Sequence, residues 1–160
     1  MDSVYLETTF ISYLVSLPAR DLLVAAHQQV TRDWWHKRRN SFRCVISQVV
    51  IDEISAGDMT EATKRLKTVE TLDVLKASIF AEALTQSILE AGVLPKKAAA
   101  DAAHIALAAV HGIQYMLTWN CKHLANAQNA RQLERICEMN GLAMPLICTP
   151  EVLLQGRNDD

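Results

Sequence analysis

Glycine is scarce in this 160-residue chain, which has only five. Four of them, Gly57, Gly92, Gly112 and Gly141, stand far apart, each after a helix-like run. Neither a dinucleotide-binding GxGxxG nor a Walker loop can be drawn through them, which excludes two common ways of cradling phosphate. Their positions suit left-handed residues that end helices. Cysteine is also thin: Cys44, Cys121, Cys137 and Cys148 are scattered, with no CxxC pair. Cys121, His123, His104 and His111 share no recognised zinc spacing. An excess of basic residues is missing too, since 16 Lys and Arg face 18 Asp and Glu, for a net charge of −2. The chain is therefore not built to coat nucleic acid, although an enzyme touching RNA locally needs no such excess. The longest run free of Lys, Arg, Asp and Glu, Ala102 to Cys121, includes His104, His111, Gln114 and Asn120. It reads as helix, turn and strand rather than a membrane span. Asp2 and Glu7 sit where an export signal would carry basic residues. Unpaired thiols and no leader give the expectation of a soluble, cytoplasmic protein. No repeat, low-complexity run or linker divides the sequence, so a single domain over residues 1–160 is expected.

What is present is an alternation of short β-branched runs with helical periodicity. Val4–Leu6, Arg43–Ile46, Leu72–Leu75, Ile113–Thr118 and Leu146–Cys148 read as strands. Helices are expected from Thr8 or Thr9 to Leu17, Arg20 to about Arg39, Ser47 to about Ala56 and Thr60–Val69. Others are expected over Ser78–Ala91, Lys96–His111 and Ala127–Asn140, with a short turn over Cys121–Asn126 and a last helix opened by Thr149-Pro150-Glu151. Five short strands alternating with helices predict an α/β fold, a three-layer α/β/α sandwich around a mostly parallel sheet. Ligands in such folds bind beyond the carboxyl ends of the strands.

Four polar positions fall near that edge. Asp101 lies within "AAADAAHIALAAV", a helix made almost wholly of apolar residues. A carboxylate buried there would need a partner or a metal. The alternative is a narrow exposed stripe near the helix start, which Lys97 would mark. Glu7 ends the first strand. Glu53 lies in the helix after the second strand, with Asp52 as its rival for the solvent-facing position. Asn120 follows the late strand, where its simplest role is to cap the next turn. His104, one turn after Asp101, reads as a histidine satisfied within the core, with a donor beside the acids as the alternative.

In this order the sequence resembles the PIN-domain nucleases, and among them the VapC-like toxins of bacterial toxin–antitoxin pairs. The resemblance runs through "VYLETTFISYL", "VISQVVIDEI", "DAAHIALAA" and "YMLTWNCKHLAN" and covers nearly the whole chain. It implies a PIN-like sandwich and a metal-dependent endoribonuclease. Glu7, Glu53 and Asp101 fall on the acids that hold Mg²⁺ or Mn²⁺, and Asn120 falls on the fourth polar position. Thr8 and Thr118 fall on hydroxyl residues beside them, with Thr118 and Asn120 orienting water or phosphate. Two positions depart from the family pattern: Glu7 replaces the usual aspartate, and Asn120 replaces an acid. Oxygen ligands of this kind suit Mg²⁺ and Mn²⁺. The implied partners are an RNA substrate, a cognate antitoxin and a second copy of the chain, with no membrane.

One further cluster invites a binding role. "WWHKRRNSFR" mixes Trp34 and Trp35 with Lys37, Arg38 and Arg39, which would suit RNA stacking or an antitoxin contact. The alternative is a solvated helix end whose basic residues complement the helix dipole. Two other functions stay open beside the ribonuclease: a PIN-like module that binds RNA or protein without cleaving, and a metal-dependent phosphoesterase acting on DNA or small phosphates.

Overall fold

A computed structural model describes residues 1–157. It contains five strands, β1 (Ser3–Leu6), β2 (Arg43–Ser47), β3 (Asp73–Leu75), β4 (Tyr115–Leu117) and β5 (Leu146–Cys148), and seven α-helices. The helices are α1 (Thr8–Val15), α2 (Leu22–Arg38), α3 (Gln48–Ile54), α4 (Met59–Val69), α5 (Ile79–Glu90), α6 (Ala99–Val110) and α7 (Ala127–Met139). All strand pairs are parallel, and the sheet order is β3-β2-β1-β4-β5. The result is the expected α/β sandwich, with helices covering the two faces of one sheet. Among the described residues, no helix is long and apolar enough to cross a membrane.

The centre of the sheet explains the short apolar runs of the sequence. Val4, Tyr5 and Leu6 of β1 are wholly buried, as are Val45 and Ile46 of β2 and Met116 and Leu117 of β4. Helix α6 is covered along most of its surface: Ala102, Ile105, Ala106, Ala108 and Ala109 are all buried. Alanine lets that helix lie close to its neighbours, and α5 packs along it. Helix α1, which follows β1 directly, buries Phe10 and Ile11.

The expected boundaries shift in ways that local chemistry explains. Helix α1 stops at Val15 because the residue before Pro18 is pushed toward extended backbone. Its cap is Glu7, whose side chain accepts from Thr9 N–H, in place of the expected threonine. Helix α2 starts two residues late, where Asp21 caps Val24 N–H. Residues Lys96–Ala98 form a 3-10 turn ahead of α6, and Pro150–Leu153 form another in place of a last helix. The four spaced glycines adopt the left-handed backbone expected of them, with φ between 66° and 84°.

The strand order has one reversal. From β1 the chain builds outward to β2 and β3, then returns to the other side of β1 for β4 and β5. The gap between β1 and β4 is therefore the topological switch point, where the connections leave in opposite directions and open a crevice. Glu7 directly follows β1, and Thr118 directly follows β4.

Candidate metal centre at the switch point

Glu7 is only 3% exposed, yet it carries a carboxylate. One oxygen, Oε2, is tied down three times: by Thr9 N–H at 3.0 Å, Thr9 Oγ1 at 2.5 Å and Thr118 Oγ1 at 2.7 Å. The amino end of α1 adds favourable dipole to the same oxygen. The other oxygen, Oε1, has no hydrogen-bond donor among the described residues. His104 Nε2 lies 3.8 Å from it.

Across from it stands Glu53, carried by α3 with its side chain 37% exposed. Its Oε1 accepts from Thr8 Oγ1 at 2.7 Å and lies 2.6 Å from His104 Nε2. Burial alone would raise the Glu53 pKa. The hydrogen bonds from His104 and Thr8 outweigh it and hold the carboxyl below its ordinary range. Asp52, its rival in the sequence, points away and bonds Gln48 instead. One ligand atom each from Glu7, Glu53 and His104 lie within 4.8 Å of one another.

Asp101 belongs to the same polar edge but lies outside that triangle. Its side chain is 17% exposed and both oxygens are engaged. Asn120 Nδ2 donates to Oδ1 at 3.2 Å, and His123 Nδ1 lies 2.9 Å from Oδ2. Asn120 Oδ1 in turn accepts from His123 N–H at 3.0 Å, which is the turn cap expected of it. Asn120 N–H donates to Thr118 Oγ1 at 3.0 Å, so a continuous hydrogen-bonded path joins Asp101 to Glu7. The sequence thus predicted five participants that converge: Glu7, Glu53, Asp101, Thr118 and Asn120. Thr8 joins them through Glu53.

The sequence reading missed four others. Tyr5, Ser47 and Thr9 lie behind the acids, and His123 pairs with Asp101. Signals for two of them were present. Ser47 caps α3, and His123 stands three residues after Asn120, where a capping side chain meets a backbone N–H. His104 proves to be both readings at once: it is wholly buried, and it bonds an acid of the site.

Beside the acids stands a wall of stacked rings. His27 of α2 lies over Trp119 with centroids 4.0 Å apart and planes within 12°. Tyr13 of α1 stacks at 5.9 Å from the same indole. Trp119 is fixed at both its nitrogens, to Thr9 Oγ1 and to Thr31 Oγ1.

The tryptophans singled out in the sequence are a correction. Trp34 is 0% and Trp35 8% exposed, both in the core, so neither offers a face for stacking RNA. Phe10 packs edge-on against Trp34, and Arg39 covers Trp35 at 4.6 Å. Arg38 reaches over Phe42 at 5.7 Å. Lys37 and Arg39 are exposed, but they sit at the carboxyl end of α2, which leads into the start of β2. They therefore lie at the amino edge of the sheet, opposite the acids.

Hard carboxylate oxygens, one of them without a donor in a nearly buried side chain, fit a divalent ion such as Mg²⁺ or Mn²⁺. A softer, thiolate-preferring ion finds no cysteine among these residues. No family model matches this chain, and no curated protein matches it.

Proposed function

We propose that this chain is a metal-dependent endoribonuclease of the PIN-like kind, acting as the toxin of a toxin–antitoxin pair. The observation that carries this reading is Glu7: a carboxylate at the switch point, nearly buried, with Oε2 bonded three times and Oε1 without a donor among the described residues, in a cluster with Glu53 and His104. Glu7, Glu53 and Asp101 are the residues that would hold Mg²⁺ or Mn²⁺. A divalent ion held there would polarise a phosphoryl oxygen and make water acidic enough for in-line attack on the phosphodiester. Thr118 and Thr9 hold Glu7 and orient it. Asn120 and His123 hold Asp101 in place, and release of either contact would free an Asp101 oxygen toward the crevice. The stacked rings of Tyr13, His27 and Trp119, tied to the acids through Thr9, would on this reading flank a strand entering the crevice. In this reading the substrate is RNA, the setting cytoplasmic, and the partners a cognate antitoxin and a second copy of the chain.

Cleavage of a mixed single-stranded RNA and tRNA pool, with Mg²⁺, with Mn²⁺ and with EDTA, tests it. Cleavage in either metal, none in EDTA and none by Asp101→Ala is the expected result. Absence of cleavage from folded, partner-free protein would overturn it, and equal cutting of DNA would point to the broader phosphoesterase. A second reading, a PIN-like module that binds without cleaving, is favoured by one observation: both Asp101 oxygens are already bonded, to Asn120 and His123.

A further inference from the structure

His104 shares the acid triangle, but its hydrogen bonds decide whether it can hold an ion. We propose that His104 is a positioning residue and not a metal ligand: a one-way relay from Ser47 through Tyr5 fixes its ring so that Nε2–H aims Glu53 toward Glu7.

The direction follows from counting hydrogens. Glu53 Oε1 is an acceptor 2.6 Å from His104 Nε2, so that nitrogen carries the hydrogen. A ring nitrogen that carries hydrogen has no lone pair to give an ion. The opposite nitrogen, Nδ1, lies 2.6 Å from the Tyr5 hydroxyl, and that hydroxyl lies 2.6 Å from Ser47 Oγ. Ser47 Oγ accepts from Val50 N–H at 3.5 Å as the cap of α3. Ser47 is wholly buried, and among the described residues only Tyr5 can accept its hydroxyl hydrogen. The Tyr5 hydroxyl must then donate onward to Nδ1. Every hydrogen in the relay is used once, as buried polar groups require. The reverse arrangement, with hydrogen on Nδ1, would turn the Tyr5 hydrogen toward Ser47. It would leave the Ser47 hydrogen buried with no acceptor.

The surroundings suit a fixed relay. Tyr5, Ser47 and His104 are each 0% exposed. Tyr5 meets the imidazole edge-on, with centroids 5.6 Å apart, which holds the ring plane. Burial pushes the Tyr5 hydroxyl well above its ordinary pKa, so it stays a donor. Ser47 has a double effect, because it also starts the helix that carries Glu53. One hydroxyl therefore sets the backbone of Glu53 and, through two side chains, the direction of its carboxylate.

The test has two arms. Long-range ¹⁵N–¹H NMR of the free protein at neutral pH reads the tautomer directly. We expect hydrogen on Nε2 and a bare Nδ1; hydrogen on Nδ1, alone or on both nitrogens, overturns the relay. The second arm uses Mn²⁺ and rests on the metal-dependent reading above. Tyr5→Phe is expected to weaken Mn²⁺ binding about 10- to 100-fold, the usual loss for a group behind a ligand. Electron spin echoes of Mn²⁺ bound to the unaltered protein are expected to lack a directly coordinated imidazole nitrogen. Equal Mn²⁺ affinity in Tyr5→Phe, or a coordinated imidazole, overturns the proposal. If Mn²⁺ does not bind at all, the metal-dependent reading falls, while the tautomer still decides this one.

Discussion

The two ends of the sheet carry opposite kinds of polarity. At the carboxyl edge, buried and partly buried polar groups are bonded to one another, and to the exposed Glu53, in an almost unbroken set: Glu7, Thr9, Thr118, Asn120, Asp101 and His123 on one side, Ser47, Tyr5, His104 and Glu53 on the other. At the amino edge, "WWHKRRNSFR" has more charge and more aromatic surface, yet its rings go into the core. Here Trp34 Nε1 and Arg38 Nε are buried with no hydrogen-bond partner among the described residues. The contrast teaches that a cluster conspicuous in the sequence can be packing, while isolated acids in apolar segments converge into one bonded set. Burial with a full set of hydrogen bonds is costly to arrange and is concentrated where orientation matters.

The contrast can be broken experimentally. The largest effect is expected at the carboxyl edge, where Glu7→Gln should lower metal-dependent RNA cleavage by about 100-fold or more, since small misplacements of a reacting group already cost that much. Wild-type rates from that variant, measured on the same RNA pool, would strip the edge of its proposed role. Next comes the amino edge: Trp34→Ala should destabilise the protein by about 3–5 kcal/mol, as removal of a buried indole does. Denaturant unfolding reads this, and RNA affinity of the folded fraction should stay unchanged. A variant of normal stability with weakened RNA binding would reverse the assignment of the two ends. The smallest effect concerns the thiols. Burial pushes Cys44, Cys137 and Cys148 up to about 11, so at neutral pH few molecules carry the reactive thiolate. Cys121 is exposed and should be alkylated first. Reaction at Cys137 and Cys148 should rise roughly tenfold per pH unit toward that value, because thiolate is the attacking form. Peptide mapping after brief iodoacetamide treatment checks the order.

The fold was legible because its signals are local. Strands ended where β-branched runs ended, Ser47 and Ser78 capped the helices they precede, and the separated glycines marked four helix ends. The strand reversal at β1 was not legible, because nothing within a strand says which neighbour it will take. The acids were found from their apolar surroundings and their order along the chain. Their bonding was hidden, since Thr118 reaches Glu7 across 111 positions and His104 reaches Tyr5 across 99. The tryptophans were misread for a related reason. Aromatic rings beside arginines look alike whether they face solvent or the core, and α2 turns its ring-bearing side toward Phe10 of α1.

The central place of β1 has a consequence for the order of events during synthesis. The strand leaves the ribosome before both of its sheet partners, and one of them, β4, is made more than a hundred residues later. At roughly 5–20 residues per second, Glu7 would wait on the order of 5–20 s for Thr118 to be translated. Until then the crevice has one wall, and the hydroxyl that completes the grip on Glu7 does not exist. A chain interrupted before β4 therefore lacks Thr118 and Asn120 and cannot assemble the bonded set around Glu7. Whatever this site does, it begins only after Thr118 has been translated.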